Sequence, residues 1–279
     1  MRIYITGHKG QLGRALEKAL ADHTLFGGDL PEVDITDLSS IRSSLLAAKP
    51  DVVIHSAAMT DVDGCARNPD LAYRINALGT RNVAVACQDA SCAMLAISTN
   101  EVFDGTADLP YLEFDPTHPI NPYAKSKHAG EMFVRHLLTR FYIVRTAWLF
   151  GHGGNNFVTK IIKRARDEGK LRVVIDEVGS PTFAPDLAGA IAKLIPTGAY
   201  GIYHFVNDGL CSRFEFAQAI LELAGLTDIP IAPATLSELA RASMPPPYTP
   251  LRNFCGAQIG ITLRSWRDAL AEYIANERF

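Results

Sequence analysis

The chain opens with a short strand candidate that breaks at once into evenly spaced glycines. Gly7, Gly10 and Gly13 directly follow the apolar run 2–6, and leucines at helical spacing come next. Between a strand and a helix, such a turn is typical of dinucleotide binding, because glycines allow a tight turn and let the backbone approach a pyrophosphate. The free N–H groups at the helix N-terminus then face the anion. We therefore predict that the chain begins with a nucleotide-binding βα unit.

The rest of the first half alternates β-branched runs with amphipathic segments, which is the pattern of a parallel sheet with helices on both faces. The sequence predicts strands at 52–55, 93–97 and 142–146 and helices at 11–21, 38–49, 70–90 and 121–140. Further helices are predicted at 157–168, 185–194 and 263–277, and strands at 171–175 and 201–206. We therefore predict an α/β fold: a Rossmann-type doubly wound parallel sheet over 1–150 and a smaller C-terminal substrate-binding lobe over 151–279, from which segments can return to the main domain.

Composition and charge limit the partners that this chain can bind. Its 279 residues carry a formal net charge of −3 without a Lys/Arg run, so the electrostatic footprint of a nucleic-acid or membrane-surface binder is missing. The first residues lack the apolar stretch of a signal peptide, and no apolar run approaches the ~20 residues that span a bilayer. Five cysteines without a C-x-x-C pair suit neither a disulfide framework nor a zinc site. We expect a cytoplasmic protein that binds small molecules, with no nucleic-acid or membrane partner.

The segment from Asn121 to Lys127 carries the strongest chemical pattern. Asn121 is a good N-cap, and the proline after it favours the first turn of a helix. Tyr123 and Lys127 then lie four residues apart on one helical face. An ordinary tyrosine pKa of about 10 is too high for proton exchange near neutrality, and a nearby ammonium and the helix dipole lower it. Tyr123 is therefore predicted to donate the proton when a ketone is reduced.

A hydroxyl that can polarise the ketone is available at Thr99, just past the predicted strand 93–97. Hydride arrival at the carbonyl carbon places negative charge on the oxygen, which a hydroxyl and a phenol can both stabilise. An isolated Tyr/Lys pair at this spacing is more often a surface pair on an amphipathic helix. Here the glycine turn, the hydroxyl and the Tyr/Lys helix follow one another in chain order, and this combination favours catalysis.

Taken together, these motifs resemble the dTDP-4-dehydrorhamnose reductase family of extended short-chain dehydrogenases/reductases. The resemblance covers nearly the whole length and includes TGHKGQLG, HSAAMTDVDGCARNP, RINALGTRNVA, ISTNEVFDGT, NPYAKSK, VRTAWLFGHGGNNFV, DEVGSPTFAPDLA and LRSWRDAL. It implies an NADPH-dependent oxidoreductase that reduces the 4-keto group of a dTDP-linked keto sugar, dTDP-4-dehydro-L-rhamnose, in nucleotide-sugar and cell-surface polysaccharide biosynthesis.

The resemblance also implies roles for individual residues. Thr99, Tyr123 and Lys127 would form the catalytic triad, with Lys127 also holding the nicotinamide ribose. Trp148, which follows the predicted strand 142–146, would face the sugar nucleotide. The predicted cofactor contacts are Gly7, Gly10, Gln11, Leu12, Gly13, Asp34, Ile35, Ala57, Ala58, Thr60, Asn76, Tyr123 and Lys127, and the predicted substrate contacts are Thr99, Asn100, Glu101, Trp148 and Arg252.

The adenine end of the cofactor site has two acidic candidates. Asp29 lies about where an acidic residue would meet the ribose hydroxyl, whereas Asp34 and Ile35 resemble the adenine-side segment of the family. Lys9 could bind a 2′-phosphate. NADPH is therefore favoured, with NADH as the alternative.

Two features fall outside the family pattern. The family usually shows Asp-Tyr after the catalytic threonine, whereas this chain has Asn100 and Glu101, which bears on the exact sugar. Some members hold magnesium between subunits through glutamates that have no match here, so no required metal is predicted and magnesium stays open. A homodimer that uses 244–247 or the terminal helix is a further expectation, although the sequence gives no symmetry.

Two alternatives stay open. A nucleotide-sugar epimerase or dehydratase retains NAD and returns the hydride to the same substrate, and Glu101 could supply its extra acid or base. The regulatory beta subunit of methionine adenosyltransferase also resembles this family and binds a partner instead of reducing a sugar. The fold alone does not separate these functions. Stoichiometric consumption of NADPH would favour the reductase.

Overall fold

The computed structural model describes residues 1–277 and 279, and its centre is a six-stranded parallel sheet. With strands numbered along the chain, the sheet order is β2-β1-β3-β4-β5-β10. The order reverses at β1, and ligands of such sheets bind outside the carboxyl ends of the strands at this switch point. The predicted doubly wound parallel sheet is confirmed. Its strands are β1 (Arg2–Thr6), β2 (Thr24–Gly28), β3 (Val52–His55), β4 (Ala93–Thr99), β5 (Phe141–Thr146) and β10 (Gly201–His204).

Helices cover both faces of this sheet because alternate strand residues point to opposite sides. Ile3 and Leu95 belong to a core layer that includes α1 and α8, whereas Tyr4 and Met94 belong to a layer that includes α2, α5 and α6. Both layers are mostly aliphatic and almost fully buried. The helices around the sheet are α1 (Gln11–Ala19), α2 (Leu38–Ala48), α3 (Val62–Arg67), α4 (Pro69–Ala72), α5 (Thr80–Asp89), α6 (Pro122–Leu137) and α8 (Ala184–Leu194).

The second strand of the central sheet is one element that the sequence did not predict. Thr24–Gly28 is a half-exposed edge strand that ends in two glycines, so it lacks the apolar run of its neighbours. The glycines are required by packing: a Cβ at Gly28 would lie 2.2 Å from the Tyr4 hydroxyl, and one at Gly27 would lie 2.6 Å from the His8 ring. The two glycines of this strand are required by side chains outside it, so the propensities of its own residues do not indicate a strand.

The predicted helix 70–90 is continuous but not uniform. Between α4 and α5 the chain forms a π-helical segment, Tyr73–Gly79, which contains Asn76. Such π-helical turns inside α-helices are rare and occur frequently at functional sites. The π-helical segment changes the direction in which the following side chains point. It brings Asn76 toward the loop after β3.

The second half of the chain is shared between the sheet and a smaller lobe. β10 pairs with β5, and α8 packs into the same core layer as α1. The lobe has its own core of aromatic side chains, with Phe150, Phe216 and Tyr273 near its centre. Its elements are β6 (Leu149–Phe150), α7 (Phe157–Glu168), β7 (Leu171–Val174), β8 (Val178–Gly179), β9 (Thr182–Phe183), β11 (Cys211–Ser212), α9 (Arg213–Leu223), β12 (Ile231–Ala234), α10 (Cys255–Gln258) and α11 (Trp266–Asn276).

No helix within residues 1–277 and 279 combines the length and the apolar character that a membrane crossing requires. The five cysteines are free thiols, and Cys65, Cys87, Cys92 and Cys211 are buried. Burial raises the pKa of the Cys65 thiol to about 11, so this side chain is a poor nucleophile near neutrality.

Candidate active site

The glycine turn after β1 has no room for side chains. Gly7 has φ +71°, and a Cβ there would lie 2.8 Å from the Ala57 backbone nitrogen. At Gly13 a Cβ would lie 2.4 Å from the carbonyl oxygen of Gly7. Gly10 is the N-cap of α1 and brings no side chain to the helix end, so the first N–H groups of α1 are available to an anion. Gln11 reaches across to the lobe, where its Nε2 donates to the Leu149 carbonyl at 3.3 Å, while Leu12 is core.

The two acidic candidates for the adenine end differ in their surroundings. Asp29 directly follows β2, and one of its carboxylate oxygens accepts the Lys9 backbone N–H at 3.2 Å. Asp34 uses its carboxylate locally, since both the N–H and the hydroxyl of Thr36 donate to it at 2.8 Å. Ile35 is buried against Gly79. Asp29 therefore occupies the strand-end position where a ribose hydroxyl is usually bound, and Asp34 and Ile35 shape the wall next to it.

The loop after β3 is held to the helices by Asn76. The Asn76 Oδ1 accepts the Met59 N–H at 2.8 Å, and its Nδ2 donates to the Met59 carbonyl at 3.1 Å. The same Nδ2 lies 3.0 Å from the Ser126 hydroxyl on α6. Asn76 thus fixes the backbone between two predicted cofactor contacts, the half-buried Ala58 and the exposed Thr60, and joins this loop to the helix that carries Tyr123.

A buried histidine supports the same loop, and sequence reasoning missed it. His55 Nδ1 lies 2.8 Å from the Thr6 hydroxyl, and its Nε2 lies 3.0 Å from the Thr80 hydroxyl. Thr80 donates its proton to the Asn76 carbonyl at 2.6 Å, so Nε2 carries the hydrogen and Nδ1 accepts from Thr6. Burial lowers the His55 pKa to about 3, with Lys127 adding to the effect. The ring is therefore neutral and purely structural at physiological pH.

The structure brings the three predicted catalytic side chains together at the carboxyl edge of the sheet. Thr99 is the last residue of β4, and Tyr123 lies in the first turn of α6, which is capped by the Asn121 side chain through the Ala124 N–H at 2.9 Å. Lys127 is buried one turn further along, with its Nζ donating to the Ile97 carbonyl at 2.7 Å. The Thr99 hydroxyl lies close enough to the Tyr123 phenol to lower its pKa, and it donates to the Asn100 Oδ1 at 3.3 Å. A ketone oxygen placed here meets the hydroxyl groups of Thr99 and Tyr123.

The expected direction of the Tyr123 pKa shift is wrong for this site. Burial raises the Tyr123 pKa, and the negative charge of Glu101 raises it further, whereas the neighbouring Thr99 hydroxyl lowers it. Burial also lowers the Lys127 pKa to about 8, against the opposing charge of Glu131. The sequence showed the Tyr/Lys spacing but not the burial of both groups, which dominates here. The Tyr123 phenol is therefore protonated and neutral near neutral pH.

Glu101 lies at the same edge of the sheet. It follows Thr99 by two residues, and its backbone N–H donates to the Thr99 hydroxyl at 3.2 Å. Its Oε2 accepts from the Asn121 Nδ2 at 2.7 Å. Burial raises the Glu101 pKa to about 7 even though that hydrogen bond opposes the shift. Its neighbour Asn100 is buried and donates to the Thr249 hydroxyl at 2.7 Å, so this predicted substrate contact holds two chain segments together.

Trp148 stands on the lobe side of the cleft in an unusual conformation. Its φ is +44°, and it sits in contact with Gly179, where a Cβ would lie 2.6 Å from the indole ring. The guanidinium of Arg213 covers the ring, and this side chain also pairs with Glu177 at 2.8 Å. Bulky residues rarely adopt positive φ without a constraint from their surroundings. The ring is therefore held in one orientation by contacts on the lobe.

Arg213 was not found from the sequence. The Ser212 to Glu215 capping box marks the start of its helix and is readable as a pattern, but the partner ring is far away along the chain. Arg252, which was predicted to touch substrate, lines a separate cavity with Pro110 and Asn207, and none of Thr99, Tyr123 and Lys127 lines that cavity. Its backbone N–H donates to the Tyr111 carbonyl at 2.9 Å.

A buried ion pair lies within the same helix and sheet: Glu131 on α6 and Arg145 on β5 approach to 2.8 Å. The Ser98 hydroxyl also donates to Glu131. This pair fixes α6 against β4 and β5. Within the described chain, residues 1–277 and 279, no group of three or more His, Cys, Asp or Glu side chains is arranged to hold a metal ion.

Comparison with known proteins shows what this arrangement is similar to. The model of the RmlD substrate binding domain matches residues 1–279. The spore coat polysaccharide biosynthesis protein SpsK of Bacillus subtilis is 40% identical over 98% of this chain and 96% of its own length. The dTDP-4-dehydrorhamnose reductase of Mycolicibacterium smegmatis is 39% identical over 98% of this chain and 85% of its own. The crystal structure of the Bacillus anthracis dTDP-4-dehydrorhamnose reductase in complex with NADP superimposes with a TM-score of 0.95, at 39% identity and 99% coverage of both chains.

Proposed function

The chain belongs to the family of the RmlD substrate binding domain, and we propose that it is the reductase that converts dTDP-4-dehydro-L-rhamnose to dTDP-L-rhamnose with NADPH. The observation that carries this function is the meeting of Thr99, Tyr123 and Lys127 at the carboxyl edge of the sheet, next to the glycine turn. Related reductases cover the whole chain, and the one from Bacillus anthracis binds NADP.

The residues present fit a dinucleotide. A Cβ at Gly7 or Gly13 would fill the cradle before α1, and the open N-terminus of α1 suits a pyrophosphate. Asp29 and Lys9 lie at the end of β2, where the adenine ribose is expected. Lys127 would hold the nicotinamide ribose, with the loop 57–60 and Asn76 forming the wall of the cleft. When bound, NADPH supplies the hydride that reduces the ketone carbon.

Protein side chains stabilise the negative charge that forms on the ketone oxygen. Thr99 and Tyr123 present hydroxyl groups to the same point, so both can hydrogen-bond to the oxygen as it becomes negative. Tyr123 donates its proton to that oxygen, since its raised pKa keeps it protonated until then. Lys127 places a cation next to the phenolate that is left behind. Because the groups are already in position, little reorganisation is required.

Recognition of the sugar nucleotide is assigned to the lobe. Trp148 is held there in a fixed orientation by Arg213, whose guanidinium covers the ring. Glu101 lies on the opposite side, bonded to Asn121. This arrangement supports a substrate that is held by its sugar between the lobe and the sheet. Residues 1–150 with α8 and β10 would bind the cofactor, and the remainder of 151–279 would bind the substrate.

The decisive experiment measures NADPH oxidation with purified dTDP-4-dehydro-L-rhamnose and compares the wild type with Tyr123→Phe. Stoichiometric NADPH consumption that collapses in the variant supports both the reaction and the proton donor. If the wild type binds NADPH without consuming it, this function is wrong. An epimerase would then convert the sugar without net oxidation of cofactor, and a regulatory subunit would do neither.

A cytoplasmic location and a homodimer remain predictions from the sequence. The dTDP-linked substrate class supports the first, because nucleotide sugars are made from cytoplasmic nucleotides. Light scattering on the purified protein measures the second directly: twice the chain mass of 30.4 kDa is the expected result, and a single chain mass contradicts it.

A further inference from the structure

Glu101 is held rigidly relative to the proton donor. The Asn121 side chain uses its Oδ1 to cap α6 and its Nδ2 to bind the Glu101 carboxylate at 2.7 Å. Since α6 carries Tyr123 in its first turn, one amide group fixes both the phenol and the carboxylate. Thr99 adds a second link, because its hydroxyl accepts the Glu101 N–H. The two acid/base groups therefore cannot move independently.

One oxygen of the Glu101 carboxylate is available to a ligand. Oε2 is bonded to Asn121, and among residues 1–277 and 279 no group hydrogen-bonds to Oε1. The side chain is only partly covered, so Oε1 can meet a ligand in the cleft. The charged groups that face it are Glu177 before β8, Arg213 on α9 and Arg241 in the segment after β12. None of them forms an ion pair with it among these residues.

The position of this free oxygen relative to Tyr123 indicates which part of a keto sugar it would contact. Tyr123 and Thr99 mark the place of the ketone oxygen. Glu101 is joined to the Thr99 hydroxyl and, through Asn121, to the first turn of the helix that carries Tyr123, yet among the described residues it makes no hydrogen bond to the phenol. A carboxylate beside the oxygen site, and not on it, would face the carbons next to the ketone when a keto sugar is bound. Hydrogens on those carbons are the acidic ones of a keto sugar.

We propose that Glu101 is a general base that removes the hydrogen from a carbon next to the ketone, so that the site enolises its keto-sugar nucleotide in addition to reducing it. This inference rests on the proposed function for the identity of the keto sugar. The Glu101 carboxylate takes the proton, the C–H electron pair forms a carbon–carbon double bond, and Tyr123 protonates the oxygen. The reverse steps return a hydrogen to carbon. No oxidant or reductant is consumed, and the nicotinamide takes no part.

Solvent exchange tests the proposal without reduction. Wild-type protein with NADP⁺ and dTDP-4-dehydro-L-rhamnose in D2O should place deuterium next to the ketone about 100-fold faster than buffer alone, which is the usual order for general-base catalysis. Mass spectrometry and NMR of the recovered sugar nucleotide measure the rate and the position. Exchange no faster than in buffer overturns the proposal.

Substitutions of Glu101 distinguish a general base from a carboxylate that only supports the site. Glu101→Gln keeps the bond to Asn121 possible but cannot accept a proton, so exchange should fall about 100-fold, and by a larger factor than NADPH-dependent reduction falls. Glu101→Asp keeps a carboxylate and should recover part of the exchange, which also covers the case in which Glu101→Gln does not fold. Equal losses of exchange and reduction in both variants contradict a base. If reduction itself is absent in the wild type, the proposed function fails instead.

Discussion

The guanidinium carbon of Arg213 lies 3.6 Å from the centroid of the Trp148 indole ring. This contact joins the start of α9 to a residue that has a positive φ at the end of the sheet. The Arg213 charge is itself held by Glu177, so the ring has a fixed support. The orientation of Trp148 therefore depends on an ion pair that belongs wholly to the lobe.

Arg213→Met should loosen Trp148 and weaken substrate binding. A cation–π contact is worth about 0.5–2 kcal/mol, so KM for the sugar nucleotide should rise roughly 2- to 30-fold, while kcat changes less because Tyr123 and Thr99 are untouched. Trp148 fluorescence should shift in parallel. Arg267→Met is the matched control, since Arg267 lies 4.7 Å from the other indole, Trp266. A KM that rises equally in both variants would show a general stability effect.

Gly13→Ala should impair the dinucleotide turn. The added Cβ would lie 2.4 Å from the Gly7 and His8 carbonyl oxygens, so the backbone must move, and overpacking of this kind costs about 1–3 kcal/mol. NADPH affinity, measured by fluorescence titration, should fall roughly tenfold or more. Gly189→Ala in α8 is the control, because a Cβ there meets nothing within 4 Å. That variant should bind NADPH normally and gain up to about 1 kcal/mol in stability.

Some of this site could be predicted from the sequence and some could not. Tyr123 and Lys127 were readable because helical spacing puts them on one face, and the glycine turn because it adjoins a strand. The contact between Trp148 and Arg213 joins residues that are 65 positions apart in the sequence. No local pattern encodes it. The strand Thr24–Gly28 was missed because Tyr4 and His8 impose its glycines.

The spacing of residues in the sequence does not show how deeply their side chains are buried. The Tyr/Lys motif alone suggests a phenol with a lowered pKa, but the structure encloses both groups and adds Glu101 nearby, so the pKa of Tyr123 rises. His55 shows the same limit, since it reads as one more strand residue and yet links Thr6 to Thr80. Predictions of residue position succeeded where they depended on local spacing, whereas predictions of charge state depend on packing.

Asn76→Ala should reduce cofactor affinity by releasing the loop 57–60. The change removes the partners of the Met59 N–H and carbonyl, and leaving buried polar groups unpaired costs about 1–3 kcal/mol. Both the free energy of unfolding in urea and the Kd for NADPH should show this loss. Asn68→Ala is the control, since Asn68 only caps the short α4 at an exposed position. It should cost stability without changing the Kd, and an unchanged Kd in Asn76→Ala would contradict the assigned role.

The pH dependence of reduction should have an alkaline limb set by Lys127. Its pKa in the folded protein is lowered to about 8 by burial, so the side chain is charged below this pH and loses its proton above it. The cation stabilises the phenolate that Tyr123 becomes, and kcat/KM should therefore fall above about pH 8. Lys127→Arg keeps a charge that is not lost in this range, so the variant should be slower but should lose the alkaline limb. A limb that persists at the same pH in Lys127→Arg would assign the ionisation to another group.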